Sequence, residues 1–583
     1  AQEQALMSTV QGFDAGEKRA SVSRRQFIRW GAGGALASAV ALPLLLDACG
    51  SAAAPAAAPA SGGGASGAAS SAGAPVAATF QTPTFVAFNG PKPDIAGNSK
   101  GLPPAYATYP KNLVKSVQGV PGKGGTVSTM TFTIGAPPPP VSQNSAWQEV
   151  NKQLGVTLNV NAVAAPDYLT KLTTTVAGNN LPDMFYVSVI GTSLQNMPQF
   201  MQTSCADLTP YLSGDAIKAF PNLANFPTFR WPYGVFNKKL YAVPAASLTG
   251  QAMFAKGKVL DQAGLSSFKN KDDFLKGAKE ITKAGSQYAL VGTGSGYNSW
   301  NPLGWFMQVF RTPNDWRNDS GKLTKDIETP EFKEAVAFVR SLWDAGVMHP
   351  DSPSLNLTTA VQQWYAGKVI MYQNGYNAYA LSWDRAVIQD PNFKPTILPI
   401  FGFDGKPGVS LLGNTSSSLT VLKKASPDRI KELLGILDFM VAPFGSQENQ
   451  LLNYGVEGKD FAYDKSGDPV LTKQGQSEVT SFPIWKLSAP ADVLYDQHSS
   501  GFAKAASDAT AAALAIGVPS PVVGLYSPTA ATKGAVLNQK LTDGLNSIIY
   551  GRADVSTLDQ LVKDWQTGGG NAIRTELEKA LAG

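Results

Sequence analysis

Hydrophobic and polar residues alternate with two different periods along the chain. Residues 126–134 alternate singly between apolar and polar, which predicts a strand. Residues 142–154 carry their apolar side chains on one helical stripe, and Gly155 follows where a helix commonly ends. A second singly alternating run at 156–162 predicts another strand. A strand, a helix and a strand in this order indicate a parallel sheet with helices packed on its faces.

Helical patterns return in the later part of the chain. One helix is predicted to begin at Pro330 and to end before Gly346, and another is predicted to begin at Pro427. Near the end, Ser556 is the expected N-cap of a helix that stops at the glycines 568–570. Because helices and strands are interspersed, the predicted fold class is α/β.

The first part of the chain has the composition of an export signal. Arg24 and Arg25 are adjacent, and an almost uncharged apolar stretch runs from Gly31 to Leu46. This order is typical of a twin-arginine leader. The stretch is shorter than the about 20 apolar residues that a membrane-spanning helix needs, so we expect it to be cleaved.

Cys49 follows this stretch directly. The segment Leu46-Asp47-Ala48-Cys49 resembles the lipobox of bacterial lipoproteins. The resemblance implies that residues 1–48 are a signal peptide and that a lipid on Cys49 anchors the protein to the outer face of the cytoplasmic membrane. Asp47 departs from the small or apolar residue usual at its position, and a plain signal peptide with an incidental cysteine is the alternative.

The next two segments lack a regular period. Residues 49–78 are almost all Ala, Gly, Ser and Pro, which predicts a flexible tether with an end-to-end distance of about 30 Å. Residues 79–124 are rich in Pro, Gly and Asn, which predicts irregular structure. If Cys49 carries lipid, Cys205 has no partner within the chain, so the core and not a disulfide holds the fold.

Several kinds of chemistry are disfavoured by the sequence. The net charge of +5 is small and spread out, which argues against nucleic acid as a partner. His349 and His498 lack metal-ligand spacing, and Pro469 stands where a calcium loop of the EF-hand type needs glycine. The glycines of 292–296 lack the spacing of a nucleotide-binding loop, which favours a turn or a cleft-lining segment. We therefore expect neither a metal nor a cofactor.

Several segments match, in order and spacing, the motifs of one family. They are Gly178-Asn179-Asn180-Leu181-Pro182-Asp183, Lys239-Leu240-Tyr241-Ala242-Val243-Pro244, Leu260-Asp261-Gln262-Ala263-Gly264-Leu265, Ala366-Gly367-Lys368-Val369-Ile370-Met371 and Tyr454-Gly455-Val456-Glu457-Gly458. Together they resemble the extracellular solute-binding proteins of ABC sugar importers, and in particular the large oligosaccharide-binding lipoproteins.

The resemblance implies a periplasmic-binding-protein type II fold, in which two α/β lobes are joined by a hinge. The first lobe is expected at 125–245 and 410–475, and the second at 246–409 and 476–583. Such a protein, acting as a monomer, holds an oligosaccharide in the cleft between its lobes, closes, and delivers it to a permease. Physical reasoning agrees, since open parallel sheets bind ligands beyond the carboxyl ends of their strands.

A sugar site needs aromatic faces together with hydroxyl and amide partners. Aromatic residues make up 10% of the chain. Tyr186 and Ser188 fall where the family places ligand contacts from the first lobe, and Asn374, Tyr376 and Trp383 where it places those of the second. Residue type and expected loop position add the further candidates Trp231, Tyr233, Trp300, Trp305, Asn414 and Trp485.

Two alternatives to a sugar-binding protein stay open at this point. A lipid-anchored glycoside hydrolase needs the same aromatic residues plus two carboxylates across a cleft, and Glu457 and Asp460 are the candidate acids. Their surroundings resemble a structural segment of the binding family, and the sequence pairs them with no second acid on an opposing loop. The other alternative is a binding protein for a peptide or a chelate. We expect a carbohydrate-binding protein that is not an enzyme.

Overall fold

The structure is a computed structural model. It describes residues 80–582, which excludes the predicted signal peptide (1–48), Cys49 and the rest of the predicted tether (49–78). Within this range the residues that lie outside the description are 99, 134–136, 189–193, 195, 248–249, 295, 297–300, 381, 384–394, 414, 481–483, 485–486, 488 and 498, and, for their side chains alone, 246–247, 377, 415–418 and 500.

The strands are short and are numbered in chain order. They are β1 (Thr126–Thr133), β2 (Thr157–Ala164), β3 (Met184–Ser188), β4 (Val235–Phe236), β5 (Lys239–Leu240), β6 (Ala242–Ser247), β7 (Gln251–Lys256), β8 (Tyr288–Leu290), β9 (Trp316–Asp319), β10 (Lys322–Lys325), β11 (Val369–Gly375), β12 (Pro395–Ile397), β13 (Ser410–Leu412), β14 (Thr415–Leu422), β15 (Phe461–Tyr463), β16 (Pro469–Leu471) and β17 (Gly517–Pro519).

The α-helices connect and cover these strands. They span Ser145–Leu154, Tyr168–Ala177, Met197–Ser204, Thr209–Leu212, Pro221–Ala224, Gly257–Ala263, Lys271–Ile281, Pro302–Val309, Pro330–Asp344, Leu357–Tyr365, Pro427–Met440, Gln447–Tyr454, Lys473–Glu478, Ser500–Ala515, Pro528–Ile549, Leu558–Trp565 and Asn571–Ala582.

Two sheets organise the described chain. The first sheet has the strand order β2-β1-β3-β14-β6, with β1 parallel to β2 and β3, and with β14 antiparallel to both of its neighbours. The second sheet has the order β12-β7-β11-β8, with β7 antiparallel and β8 parallel to β11. Each sheet is therefore mixed, and each carries its own helices.

Each sheet also has its own hydrophobic core. The helix Pro427–Met440 buries Leu433 and Leu437 completely against the first sheet. The helices Pro330–Asp344 and Pro528–Ile549 bury their apolar stripes against the second sheet. Because burial of one leucine side chain contributes roughly 1.5–3 kcal/mol, two such cores stabilise two lobes without a disulfide. Cys205 is indeed a buried free thiol.

The chain passes from one sheet to the other at defined points. Strand β6 leads directly into β7, and β13 leads directly into β14. Leu411 of β13 packs in the core of the second sheet, whereas Ile484 and Leu487 pack in the core of the first. The packing thus changes sides a few residues after the expected lobe limits at 410 and 476. The assignment of whole lobes stays a prediction.

Residues 80–123 wrap around the first lobe as a belt without α-helices or paired strands. The belt is nevertheless packed, because Ala105 and Tyr109 are almost completely buried. The Tyr109 backbone N–H donates to the carboxylate of Asp468, 3.0 Å away, and the Tyr109 ring packs edge-on against Phe444. The described residues of this segment form no α-helix and no strand, and the aromatic contacts make the segment part of the folded body.

Local predictions from the pattern are mostly confirmed. The helix Ser145–Leu154 ends at Gly155, whose φ of 69° is the left-handed conformation that glycine adopts readily. The N-cap prediction for Ser556 is wrong. Asp554 accepts the backbone N–H of Ser556, which itself lies inside a short 3-10 turn before the helix Leu558–Trp565. An Asp two residues earlier satisfies the same orphan donors, and sequence spacing alone does not distinguish the two.

Candidate functional site

In each sheet, one set of strand ends lies next to the connection between β6 and β7. The carboxyl ends of β1, β3 and β6 and the amino end of β14 lie at one edge of the first sheet. The carboxyl ends of β8 and β11 and the amino end of β7 lie at one edge of the second. Since β6 leads into β7, these two edges are neighbours. The side chains at these ends form the candidate cleft.

Tyr186 and Ser188 stand at the carboxyl end of β3, as the sequence predicted. The ring of Tyr186 is half-buried and packs edge-on against Phe132 at 4.9 Å and against Tyr168 at 5.5 Å. Burial raises the pKa of Tyr186, while a hydrogen bond with Ser188 lowers it. The structure therefore brings the Tyr186 and Ser188 side chains together on an aromatic support.

Phe132 contacts Tyr186, and Tyr526 packs against the same apolar cluster as Tyr186. The sequence predicted neither as a site residue. Tyr233 and Tyr526 are half-buried and pack, like Tyr186, at the margin of one apolar cluster. The Tyr233 hydroxyl donates to the Gly413 carbonyl oxygen at 3.0 Å, beside the passage from β13 to β14. Phe132 ends a strand whose alternation had assigned it to the core. Tyr526 lies in a Pro- and Gly-containing segment just before a helix, a signal of the kind used for the other candidates.

The second lobe contributes Asn374, Tyr376 and Trp383. Asn374 lies within β11, and its Oδ1 accepts the Gly375 backbone N–H at 2.8 Å. Tyr376 is half-buried, and burial raises its pKa. Tyr376 and Trp383 pack at the margin of the same apolar cluster. The structure thus places the Asn374 amide and the Tyr376 ring at one end of the second sheet, and Trp383 at the margin of the cluster that Tyr376 also borders.

Trp383 is held on two sides. Its ring meets Tyr379 edge-on at 5.5 Å and Phe502 at 5.9 Å. It is half-buried, so part of its surface faces solvent. A ring fixed by two edge contacts loses little entropy when a ligand stacks on it, which suits a sugar platform.

Trp231 and Trp305 do not lie in loops, so their predicted loop positions are wrong. Trp231 belongs to a 3-10 helix, is 1% exposed and packs on Phe226. Trp305 lies in the helix Pro302–Val309, whose residues are all buried, and it is 0% exposed. The Pro, Gly and Asn residues around them begin short buried helices. Neither ring has a free face in this conformation, and a role in ligand contact stays an untested prediction.

Three further predicted contacts, Trp300, Asn414 and Trp485, lie outside the described residues. They stay predictions. For the described part of the chain, no group of three His, Cys, Asp or Glu side chains is arranged to hold a metal ion.

Of the two acids that suggested a hydrolase, Asp460 has a structural role, whereas Glu457 is exposed. Asp460 is 0% exposed and Glu478 is 5% exposed, and both carboxylates accept the hydroxyl of Ser145. Glu478 also accepts the Ser145 backbone N–H, which caps the first turn of the helix Ser145–Leu154. A substrate cannot reach a carboxylate buried at a helix end, so Asp460 does not serve with Glu457 as an acid and a base across the cleft.

Asp460 makes the stability depend on pH. Burial, followed by the charge of Glu478, raises the pKa of Asp460 above its ordinary value of 3.8. The folded protein therefore binds more protons than the unfolded chain, and the free energy of unfolding falls as pH rises from about 4 toward the raised value. We expect Asp460→Asn, whose amide stays neutral at every pH, to reduce this fall. The maximal slope that one proton supplies is about 1.4 kcal/mol per pH unit.

Urea titrations between pH 4 and pH 8 measure this effect. The matched control is Glu457→Gln, because Glu457 is an exposed neighbour in the same turn. An Asp460→Asn protein whose pH profile equals that of the wild type would show that Asp460 does not cause this pH dependence.

The Pro182-Asp183 motif is also structural. Asp183 Oδ2 accepts the backbone N–H of Ser128 at 2.9 Å and pairs with Arg429 at 3.1 Å. Burial alone raises the pKa of Asp183, but the Ser128 hydrogen bonds and the Arg429 charge lower it below its ordinary value overall. This carboxylate ties β1 to the helix Pro427–Met440, and so fixes the start of β3, at whose other end Tyr186 stands.

The buried side-chain amide of Gln308 hydrogen-bonds to both connections between the sheets, β6–β7 and β13–β14. We call these two connections the passages. Gln308 is 0% exposed, and its Nε2 donates to the Gln251 carbonyl at 2.9 Å. The backbone N–H of Leu411 donates to Gln308 Oε1 at 3.1 Å. Nearby, Asn314 Nδ2 donates to the carbonyl of Leu412 at 2.7 Å. Hydrogen bonds therefore hold the end of each passage that is nearer to the second lobe, at Gln251 and at Leu411 and Leu412, to that lobe.

Known proteins resemble this chain over most of its length. Residues 145–450 match the family described as bacterial extracellular solute-binding protein. The polygalacturonan/rhamnogalacturonan-binding protein YtcQ of Bacillus subtilis (strain 168) is 26% identical over 453 residues, 75% of this chain and 88% of that protein. Lipoprotein LipO of the same organism is 24% identical over 480 residues, 79% of this chain and 92% of that protein.

Solved structures share the fold. The N-glycan transport solute binding protein NgtS of Streptococcus pneumoniae superimposes with a TM-score of 0.53 at 17% identity, covering 79% of this chain and 98% of that one. The predicted two-lobed α/β fold is therefore confirmed. Of the helices described, none is both long enough and apolar enough to cross a membrane. Because the family match spans more than half of the chain, the protein belongs to the bacterial extracellular solute-binding proteins, which bind solutes and are not enzymes, as the sequence predicted.

Proposed function

We propose that this protein captures an oligosaccharide outside the cytoplasm and delivers it, as a monomer, to the permease of an ABC importer. The observation that carries the proposal is the pairing of aromatic rings with polar groups at the neighbouring strand ends of two sheets. Tyr186 and Ser188 supply them from the first lobe, and Asn374, Tyr376 and Trp383 from the second. Rings stack on the C–H faces of sugars, while hydroxyls and amides bind their hydroxyl groups.

The relatives favour a glycan over a peptide or a chelate. YtcQ is named for binding polygalacturonan and rhamnogalacturonan, and NgtS for N-glycan transport. These ligands belong to those proteins, and they differ in charge. They support a glycan of several residues as the ligand of this chain, with neutral and acidic sugars both to be tested.

Closure of the cleft is the proposed route of capture. The two hydrogen bonds of Gln308, to Gln251 and to Leu411, are called the Gln308 clamp. They join the second lobe and the adjoining part of each passage into one rigid unit. A hinge of a few residues is sufficient for lobe closure around a ligand.

A thermal-shift screen tests the ligand class. The panel contains neutral di- to hexasaccharides, galacturonate oligomers and peptides of similar mass. A ligand at a hundred times its dissociation constant stabilises the folded protein by about 2.7 kcal/mol, so a true ligand gives a clear shift. We expect at least one oligosaccharide series to shift the midpoint, increasingly with chain length. A shift with peptides and with none of the glycans would overturn the proposal, and turnover of a glycan would replace it by an enzyme.

Lipid attachment at Cys49 after export through the twin-arginine route belongs to the same proposal. Its support is the Leu46-Asp47-Ala48-Cys49 segment, together with the similarity to a lipoprotein. We expect Cys49→Ala to move most of the protein from the membrane fraction to the medium or periplasm, since its hydrophobic anchor is lost. Immunoblots of fractionated cells measure this. Cys205→Ala is the matched control, and a Cys49→Ala protein that stays with the membrane contradicts the anchor.

A further inference from the structure

Besides the candidate cleft, a groove lies on the outer side of the first lobe. It has a volume of about 630 Å³ and is bordered by the helices Ser145–Leu154 and Gln447–Tyr454 and by the hairpin β15–β16. The helix Ser145–Leu154 returns the chain from the cleft edge of the first sheet to the opposite edge, and Gln153 of the groove stands near its far end. The groove is thus separate from the candidate cleft. We call it the outer groove.

The outer groove contains an exposed aromatic ring that is held rigidly. Tyr463 is 43% exposed, although it is a large side chain. Phe461 packs edge-on against its ring at 5.4 Å and 86°, and Gln450 Nε2 donates to its hydroxyl at 2.5 Å. Both contacts fix the plane of the ring and leave part of its surface in solvent. An aromatic face that is exposed and immobile is suited to stacking against another flat surface.

The groups around Tyr463 fit sugar hydroxyls. The amides Asn112, Gln153 and Gln447 line the same groove as Gln450. An amide side chain both donates and accepts, so it can bind two neighbouring hydroxyl groups at once. The lining also includes the apolar residues Leu113, Leu451, Val456 and Phe461, so the groove offers apolar and polar surface together, as the C–H faces and hydroxyl groups of a sugar require.

The charges of the groove select among sugars. Its ionisable side chains are the carboxylates of Glu149 and Glu457 and the ammonium group of Lys111. Glu149 also pairs with Lys152 at 3.0 Å. With Lys152 counted, two ammonium groups balance the two carboxylates, so the groove has no excess positive charge to hold a uronate. Its carboxylates accept hydrogen bonds from neutral hydroxyl groups.

We propose that the outer groove is a second, weaker glycan site, which holds one or two residues of a neutral glycan by stacking on Tyr463. It does not depend on what the cleft binds. Its effect is to keep a long glycan at the protein surface when one end enters or leaves the cleft, since tethering at a second site raises the local concentration of the first.

Saturation-transfer NMR on the full-length protein tests the outer groove. The probes are cellohexaose, xylohexaose, mannohexaose, maltohexaose and, as the acidic arm, trigalacturonate. At least one neutral probe is expected to bind Trp383→Ala protein still, because the groove is separate from the cleft. Tyr463→Ala is expected to weaken that residual binding at least tenfold, and Tyr463→Phe, which keeps the ring, by less than threefold.

The matched control is Phe85→Ala, which removes an aromatic ring of similar exposure (39%) that lies outside the outer groove. Equal binding by Tyr463→Ala and Phe85→Ala overturns the inference, as does tighter binding of trigalacturonate than of every neutral probe at this site. Tyr463→Ala that lowers uptake without changing glycan binding assigns the surface to a protein contact and also overturns it. If Tyr463-dependent binding persists while no probe senses Trp383, the proposed cleft function fails and the outer groove stands.

Discussion

Replacing Trp383 by alanine is expected to weaken oligosaccharide binding by about thirtyfold, or about 2 kcal/mol, without a comparable loss of stability. The ring is half-buried and is held by Tyr379 and Phe502, so its exposed face is already oriented before a sugar arrives. Its loss removes the stacking area, whereas Tyr379 and Phe502 still pack on each other at 5.5 Å. Isothermal titration with the best ligand of the thermal-shift panel measures the change.

The matched control for this prediction is Trp343→Ala. Trp343 is also half-buried and also packs edge-on against a tyrosine, Tyr550 at 5.0 Å, but it lies on the helix Pro330–Asp344 away from the strand ends. We expect this variant to lose stability and to bind the ligand as the wild type does. Equal losses of affinity in both variants would show that Trp383 acts through folding and not through contact.

Replacing Gly250 by alanine is expected to lower the free energy of unfolding by about 3 kcal/mol and to weaken ligand binding as well. Gly250 lies in the passage from β6 to β7, at the point where this segment contacts Leu411 of the passage from β13 to β14. A methyl group on Gly250 would overlap the carbonyl oxygen of Leu411. The two passages must then separate, which strains the Gln308 clamp and changes the angle between the lobes.

Chemical denaturation and ligand titration of the Gly250→Ala protein measure both effects. Gly534→Ala is the matched control, because Gly534 lies inside the helix Pro528–Ile549 and its nearest neighbour for a methyl group is 4.0 Å away. Alanine there should stabilise the protein by up to about 1 kcal/mol. Wild-type stability and affinity in Gly250→Ala would contradict the close approach of the two passages.

The candidate site shows how far residue type and spacing carry an inference. Tyr186, Ser188 and Tyr376 lie at strand ends or directly after them, because a strand followed by a change of period is visible in the sequence. Trp305 has the same residue type and a similar neighbourhood, yet its ring is in the core. The direction of a side chain depends on what packs around its element, and local spacing does not contain that information.

Long-range pairings explain the other differences. The sequence showed Asp460 as an acid without a partner, and folding brings Glu478 and Ser145 to it from distant positions in the chain. Tyr526 borders the first lobe, although its neighbours along the chain belong to the second. Neither contact follows from any short segment, since each depends on how three or more elements meet.

By itself, the sequence determined the class of the fold, the positions of most helices and strands, and the family, because hydrophobic period, caps and ordered motifs are local properties of the chain. Only the tertiary structure decided which aromatic rings lie near the cleft, which acids are buried in structural roles, and where the chain passes from one lobe to the other. These depend on burial and on contacts between residues far apart in the chain, as the clamp of Gln308 on Gln251 and Leu411 shows.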